Sequence, residues 1–307
     1  MDRSLTEQIG DHWSRKSGIA DQNPLRTRWW QSKLIIRHIN ELVCGKRIDG
    51  PSAGLIERLK ERFPDKLPLK SGVSVGGGSG QKEIHLLRSG VVEKFELFEL
   101  SEARIAAGIE LSRKLGVEDR VEFIHADAFN ARIVPGAYDL VHWNNSLHHM
   151  LDVDDAVAWS RKVLREGGIF YMDDFIGASR FQWPDRQLEI ASRVRRIFEG
   201  SCYLEDPKNP GQFMEPDIKR PNPDRLMQDD PSEAADSERI LEAVKRHFPN
   251  AEIKMTGGVI YHLALNNMLH NFDEEKDRHL LDLMMLVDGL CANMGENHYA
   301  VALAEKC

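Results

Sequence analysis

The chain has 307 residues, 41% of them hydrophobic, which suits one large domain or one domain with additions. Its formal net charge of −8 and isoelectric point near 5.9 argue against a nucleic-acid scaffold. The four cysteines (Cys44, Cys202, Cys291, Cys307) show neither C-x-x-C spacing nor a zinc pattern, the start lacks an apolar signal segment, and no run approaches ~18 apolar residues, so reduced thiols, a cytoplasmic location and no membrane span are expected.

Residues 1–69 are mostly helical in pattern. Trp29, Trp30, Leu34, Ile35, Ile36, Ile39, Leu42 and Val43 recur at helix spacing, with Arg26, Arg28, Lys33 and Arg37 among them. Basic residues interleaved with tryptophan can serve RNA. An amphipathic helix with a solvated basic face is the plainer account.

The next stretch is the most informative. Val73-Ser74-Val75-Gly76-Gly77-Gly78-Ser79-Gly80 is followed by residues 81–87 at helical spacing. It reads as strand, tight turn, helix. Glycines there permit φ > 0 and a close approach of ligand to backbone. The nicotinamide fingerprint G-x-G-x-x-G would place its last glycine at 81 or 83, and those positions are Gln81 and Glu83. The pattern is instead G-x-G-x-G (Gly76, Gly78, Gly80). It resembles motif I of the class I S-adenosylmethionine-dependent methyltransferases. That family has an acidic residue two positions before the first glycine, where this chain has Ser74, a hydroxyl that can still bond the loop backbone.

Residues 94–100 alternate polar and apolar and form a second strand, ending near Glu99. An acid at that strand end accepts bonds from ribose hydroxyls, with Leu100 beside it. Its alternative is a helix-start charge, since a helix begins beyond Ser101, the expected N-cap. Residues 120–125 form the third strand. The resemblance implies that Asp127 accepts from the adenine amine and Ala128 covers the ring; the alternative is an aspartate in an ordinary turn. The fourth strand, residues 138–143, leads into Asn144-Asn145-Ser146-Leu147-His148-His149. That segment resembles the family's post-strand-4 "LHH" region, and places Asn144 and Asn145 at the cofactor.

A helix is expected over 154–164, with Glu166-Gly167-Gly168 as its terminating turn, then a fifth strand over 169–172 ending at Asp173-Asp174. Seven of the 13 prolines lie between Pro184 and Pro231, which forbids a long helix over the later part of 175–235, while 185–198 is helix-compatible. The last core helix is expected to start at 236 with Ser237 as N-cap. Residues 251–256 and 297–304 are the sixth and seventh strands. The apolar residues from Leu280 to Cys291 make a helix that serves either the core or the interface of a homo-oligomer.

These elements imply an α/β fold: a doubly wound, seven-stranded Rossmann-like methyltransferase sheet. Its expected parts are an N-terminal helical lid (1–69), a core (70–174 and 236–307) and a substrate-recognition insertion (175–235). S-adenosylmethionine is the implied cofactor, with S-adenosylhomocysteine as product. Transfer from a sulfonium needs alignment, desolvation and, for a protonated acceptor, a base. The implied base candidates are His148, His149, Asp173 and Asp174. Adjacent histidines on a helix diverge by about 100°, so no shared metal is expected. Arg180, Trp183, Arg186, Tyr261 and His262 are the acceptor-pocket candidates; each has surface or core duty as its alternative. Asp173 and Asp174 beside Arg180 and Arg186 suit a zwitterion, which favours an amino acid or amine, including S-methylation of methionine. The competing readings are O- or N-methylation of a sugar or natural product, a nicotinamide-dependent reductase, and a non-catalytic module. A small-molecule acceptor, and neither nucleic acid nor membrane, is the expected partner.

Overall fold

The computed structural model describes residues 3–17 and 27–307. Arg26 and the first two residues lie outside that range. Seven strands form one sheet: β1 (Leu69–Val75), β2 (Val92–Glu99), β3 (Val121–His125), β4 (Tyr138–Asn144), β5 (Leu164–Phe175), β6 (Glu252–Gly257) and β7 (Tyr299–Glu305). Their order is β3-β2-β1-β4-β5-β7-β6, and only β7 runs antiparallel to its neighbours. Because β1 pairs with both β2 and β4, the winding reverses there, and a crevice opens above the carboxyl ends of β1 and β4.

Local chemistry sets the helix boundaries. Ser32 accepts from Ile35 N at the start of α2 (Lys33–Cys44), and Ser101 accepts from Arg104 N at the start of α5 (Glu102–Lys114). Asp152 caps α6 (Val153–Val163) by accepting from the amides of Asp154 and Asp155. Gly80 caps α4 (Gln81–Arg88) for a different reason. Its φ is +69°, and a Cβ there would sit 2.8 Å from Leu97 Cδ2, so only glycine lets this helix end press onto the sheet.

Alternation along the buried strands divides the apolar residues between two faces. Val141, Trp143, Phe170 and Met172 pack with α6 and with α9 (Ile240–His247). Leu140, Ile169 and Tyr171 pack on the other face with α4 and α3 (Ala53–Arg62). A third core lies beyond the strand ends. Trp183, Ala191, Phe198, Leu204 and Ala234 from the 175–235 segment join Val259 through Leu265 and α10 (Arg278–Asn293) there. The segment carries α7 (Asp185–Arg196) and the short α8 (Pro223–Asp229), and is packed into the molecule.

Two boundary expectations change. α6 ends at Val163 and β5 starts at once, so Gly167 (φ +73°) lies in a bulge within the strand. Tyr138 pairs with Leu164 but Leu140 with Ile169, so residues 165–168 loop out of register. Ser237 caps nothing: its hydroxyl donates to Gly177 O, and a 3-10 turn precedes α9. On α10, Leu281, Met284, Met285 and Cys291 are buried, while Leu283, Leu286, Leu290 and Met294 form an exposed apolar stripe. No helix among the described residues is long and apolar enough to cross a membrane.

Candidate active site

Two cavities meet above β1 and β4. The smaller, about 210 Å³, is lined by Gly76, Glu99, Leu100, Asp127, Ala128 and Phe129, with Ile9 and Trp13 from α1 (Arg3–Ser17) over it. Arg104 stacks on Trp13 with its guanidinium 4.0 Å from the ring centroid. Glu99 is buried and accepts from three amides, those of Gly78, Leu100 and Ser101, at 2.9 Å each. It thereby ties the glycine loop to the end of β2. Asp127 accepts from Phe129 N and Asn130 Nδ2, the turn geometry that was its alternative reading, while still facing the cavity.

Behind the loop the missing acid is supplied from elsewhere. Ser74 donates to Glu83 Oε1 at 2.8 Å, and His142 Nδ1 reaches the same oxygen at 2.8 Å. Burial raises the Glu83 carboxyl, but the His142 charge and these hydrogen bonds outweigh it and hold the group below its ordinary range. Ser74 lines neither cavity; it works through Glu83. Glu83 was not foreseen. The clue was present: a loop of this kind with serine at 74 needs a carboxylate from another position.

The larger cavity, about 1,420 Å³, takes in Ser52, Lys82, Asn144, Tyr171, Asp173, His148 and Glu233, then an aromatic end. Trp13, Arg104, Asn145 and His149 line both cavities and mark their junction. Asn145 holds φ +50°, a conformation that asparagine tolerates, and its amide donates to Asp173 O. Asn144 lies on the larger cavity rather than the smaller one, where Lys82 Nζ donates to its side-chain oxygen. Burial lowers the Lys82 ammonium, with the Asp173 charge opposing it. Burial raises Asp173, and Lys82 and the Ser52 hydroxyl oppose that.

Residues Leu147–His149 form a 3-10 turn rather than part of an α-helix. The expected divergence of the two histidines therefore fails: their rings lie 4.2 Å apart, tilted by 38°. His148 Nδ1 donates to Asp174 Oδ1 at 2.6 Å, and His148 Nε2 lies 3.7 Å from Glu233 Oε1. His149 Nδ1 donates to Ser232 Oγ, whose own proton goes to Asp230. Each imidazole thus has Nδ1–H pinned by an anchored oxygen. Burial lowers His148, but Asp174 and Glu233 outweigh it and raise its pKa above the usual 6.5. Burial and then the neighbouring His148 push His149 down to about 3. His148, His149 and Glu233 bring ligand-capable atoms within 4.8 Å of one another.

Other anticipated site residues are used by the protein itself. Asp174 is fully buried and accepts from the amides of Ser146, Leu147 and Phe175 as well as from His148. Burial raises its carboxyl, but the imidazole and amides prevail, so it stays anionic and positions the histidine turn rather than meeting an acceptor. Arg180 donates to the carbonyls of Glu233 and Pro231, and Arg186 pairs with Glu296 at 2.9 Å. Neither lines a cavity, so the zwitterion clamp is not assembled. Trp183, Tyr261 and His262 do line the larger cavity. The last two lie in a π-helical turn, Val259–Ala264, held by Asp288, which accepts from the amides of Gly258 and Ile260. A Cβ on Gly257 (φ +78°) would lie 1.9 Å from Asp288 Oδ2, so this turn requires glycine.

The profile of the family described as "Methyltransferase domain" matches residues 73–172. A 158-residue stretch is 32% identical to 27-O-demethylrifamycin SV methyltransferase of Amycolatopsis mediterranei (strain S699), covering 50% of this chain and 57% of that protein. The chain spans little more than half the length of two of the curated relatives it matches. Among solved structures, geranyl diphosphate C-methyltransferase from Streptomyces coelicolor A3(2) superposes with TM-score 0.53 at 14% identity, covering 100% of this chain and 99% of that one. The [4+2]-cyclase SpnF superposes with TM-score 0.51 at 15% identity, covering 98% and 97%. Likeness at that identity concerns the fold alone. Residues 73–172 are therefore similar to the methyltransferase-domain family, and the glycine loop, the strand order and the whole-chain superposition give the chain the class I, Rossmann-like fold of S-adenosylmethionine-dependent methyltransferases.

Proposed function

We propose that the protein transfers a methyl group from S-adenosylmethionine to a hydroxyl of a small natural-product-like molecule. The carrying observation is the Asp174–His148 pair at the wall of a large cavity, beside the junction with the cofactor-sized one. A thioether needs no base, so such a pair would be idle in methionine S-methylation. An alcohol or phenol must lose a proton as it attacks. In the proposed step the acceptor oxygen attacks the sulfonium methyl in line. A C–O bond forms, the C–S bond breaks, S-adenosylhomocysteine leaves, and the proton passes to His148 Nε2. The name of the rifamycin relative, which specifies an O-demethylated substrate, supports an oxygen acceptor. The amino-acid alternative loses its support once Arg180 and Arg186 are engaged elsewhere.

In this reading α1 is the lid, Glu99 meets the ribose, and Asp127, Ala128 and Phe129 hold the adenine. Glu99→Ala is expected to weaken S-adenosylhomocysteine binding by about 1.5–3 kcal/mol per charged hydrogen bond lost. Calorimetry on wild type and variant checks this, and equal affinities would leave Glu99 a loop anchor only. The function itself is tested by methyl-labelled donor with panels of alcohols, phenols, amines and amino acids. Label entering amino acids while every hydroxyl acceptor stays unlabelled would refute the reading.

The His148, His149 and Glu233 cluster favours a second account of the same step, in which a zinc-class cation on these three groups polarises the acceptor hydroxyl. Dialysis against EDTA separates the two. Turnover lost and then recovered with added zinc would favour the cation, and undiminished turnover the base.

A further inference from the structure

Beyond Phe175 the larger cavity ends in an aromatic chamber. Its walls are Phe175, Phe181, Trp183, Tyr261, His262 and Tyr299. Phe181 and Trp183 stack at 5.4 Å and 21°. His262 stands edge-on to Phe175 at 5.6 Å and to Tyr299 at 5.2 Å. Walls of this kind suit a flat ring. The chamber adjoins the reaction centre, since Phe175 lies 5.9 Å from His148 on its other side.

Two polar atoms in these walls have no hydrogen-bond partner among the described residues. Trp183 Nε1 is a buried donor with nothing to donate to, in a side chain 8% exposed. The other is His262 Nε2, and a hydrogen-bond chain determines what it offers. Gln187 Nε2 donates to Glu296 Oε2 at 3.1 Å, which orients the amide. Gln187 Oε1 is then an acceptor, and it takes the Nε2–H of His298 at 2.9 Å. Burial keeps His298 neutral, so its Nδ1 is a lone pair that accepts the Nδ1–H of His262 at 3.1 Å. Burial, and then His148, push His262 down to about 4. At neutral pH its Nε2 therefore presents a lone pair, and no described side chain or amide donates to it. A hydrogen-bonded chain four residues long, buried at Gln187 and His298, sets a single tautomer on the cavity wall.

We propose that this chamber is a recognition subsite for a planar hydroxylated ring of the acceptor. The ring's O–H donates to His262 Nε2, and Trp183 Nε1–H serves an oxygen on the same ring. A phenol or naphthol is the chemical class it takes. The proposal rests on the functional reading above only for treating this cavity as the acceptor's. It concerns the anchoring hydroxyl, which need not be the one methylated.

The test is a calorimetric titration of the full chain, with and without S-adenosylhomocysteine, using naphthol and its methyl ether. Naphthol should bind about tenfold more tightly, the worth of one hydrogen bond made only by the free hydroxyl. His262→Phe, which keeps the ring, should bring the ratio to about one. Trp183→Phe should weaken naphthol while leaving part of the preference. Equal affinities in the wild type, no binding of either probe, or a ratio unmoved by His262→Phe would overturn the proposal. Should His262→Phe not fold, the nitrogen NMR shift of His262 Nε2 in the wild type decides. It should move on adding naphthol and stay with the ether, and an unmoved shift would again overturn the subsite. Failure of methyl transfer to hydroxyls would show only in the labelled-donor assay, so the two readings fail separately.

Discussion

His148→Ala is expected to lower kcat by about 10²–10⁴-fold, the worth of a positioned general base. S-adenosylhomocysteine binding should be little changed, because His148 lines the acceptor cavity and not the smaller one. The wild-type pH profile carries the sharper information. A base acts only when unprotonated, and Asp174 and Glu233 hold the proton on His148 more tightly than usual. Activity should therefore rise with pH through an apparent pKa above 6.5. Glu233→Gln removes one of the three attracting charges, those of Asp174, Glu233 and Asp230, so the rise should move to lower pH. The same linkage affects stability with opposite sign. The Asp174–His148 attraction contributes fully below pH 6.5 and is lost as pH rises through the raised value. Measured kcat for His148→Ala within twofold of wild type, with fold and cofactor affinity intact, would exclude the imidazole as base.

Glu83→Ala is expected to be the most damaging single change to the core, costing about 1–3 kcal/mol for each buried group it leaves unpaired. It strands His142 and the Ser74 hydroxyl beneath the glycine loop. Cofactor binding should fall with it, because Gly77 packs on this network, an added Cβ there lying 3.1 Å from Glu83 Oε1. The Glu83 carboxyl is held below its ordinary value of 4.5. Its contribution is therefore present above pH 4.5 and lost as pH falls through the lower folded value. Urea unfolding at several pH values checks both claims. The gap between wild type and Glu83→Gln should close as pH falls below 4.5. A gap unchanged as pH falls through that range would show that the carboxylate charge contributes nothing.

The strands, the glycine turn, the cap at Ser101 and the body of the helix over 153–163 were legible because each depends on a few adjacent residues. Alternation, φ > 0 and a hydroxyl at an N-cap are short-range physics. The errors lie where a long-range partner wins. Gly167 reads as a helix stop, yet the register of β4 against β5 draws it into a strand bulge. Ser237 reads as a cap, yet Gly177 O lies closer at hand. His148 and His149 read as divergent, yet the hydrogen bonds that Asp174 takes from the amides of Ser146, Leu147 and His148 and from the His148 ring coil them into a 3-10 turn and bring the rings together.

By itself, the sequence determined the α/β alternation, the place of the nucleotide-type loop and the resemblance to the methyltransferases, since those follow from the order and spacing of local signals. Only the tertiary structure decided which polar side chains remain available to a ligand. Arg186, Asp174 and Ser74 are indistinguishable in composition from site residues, but Glu296, the amides of the histidine turn and Glu83 already hold them. His262 becomes an acceptor only because Glu296, Gln187 and His298, remote in sequence, line up behind it. The reason is physical: a buried donor or acceptor left unpaired costs about 1–3 kcal/mol, so the fold pairs most of its polar side chains with partners that only the tertiary structure brings near.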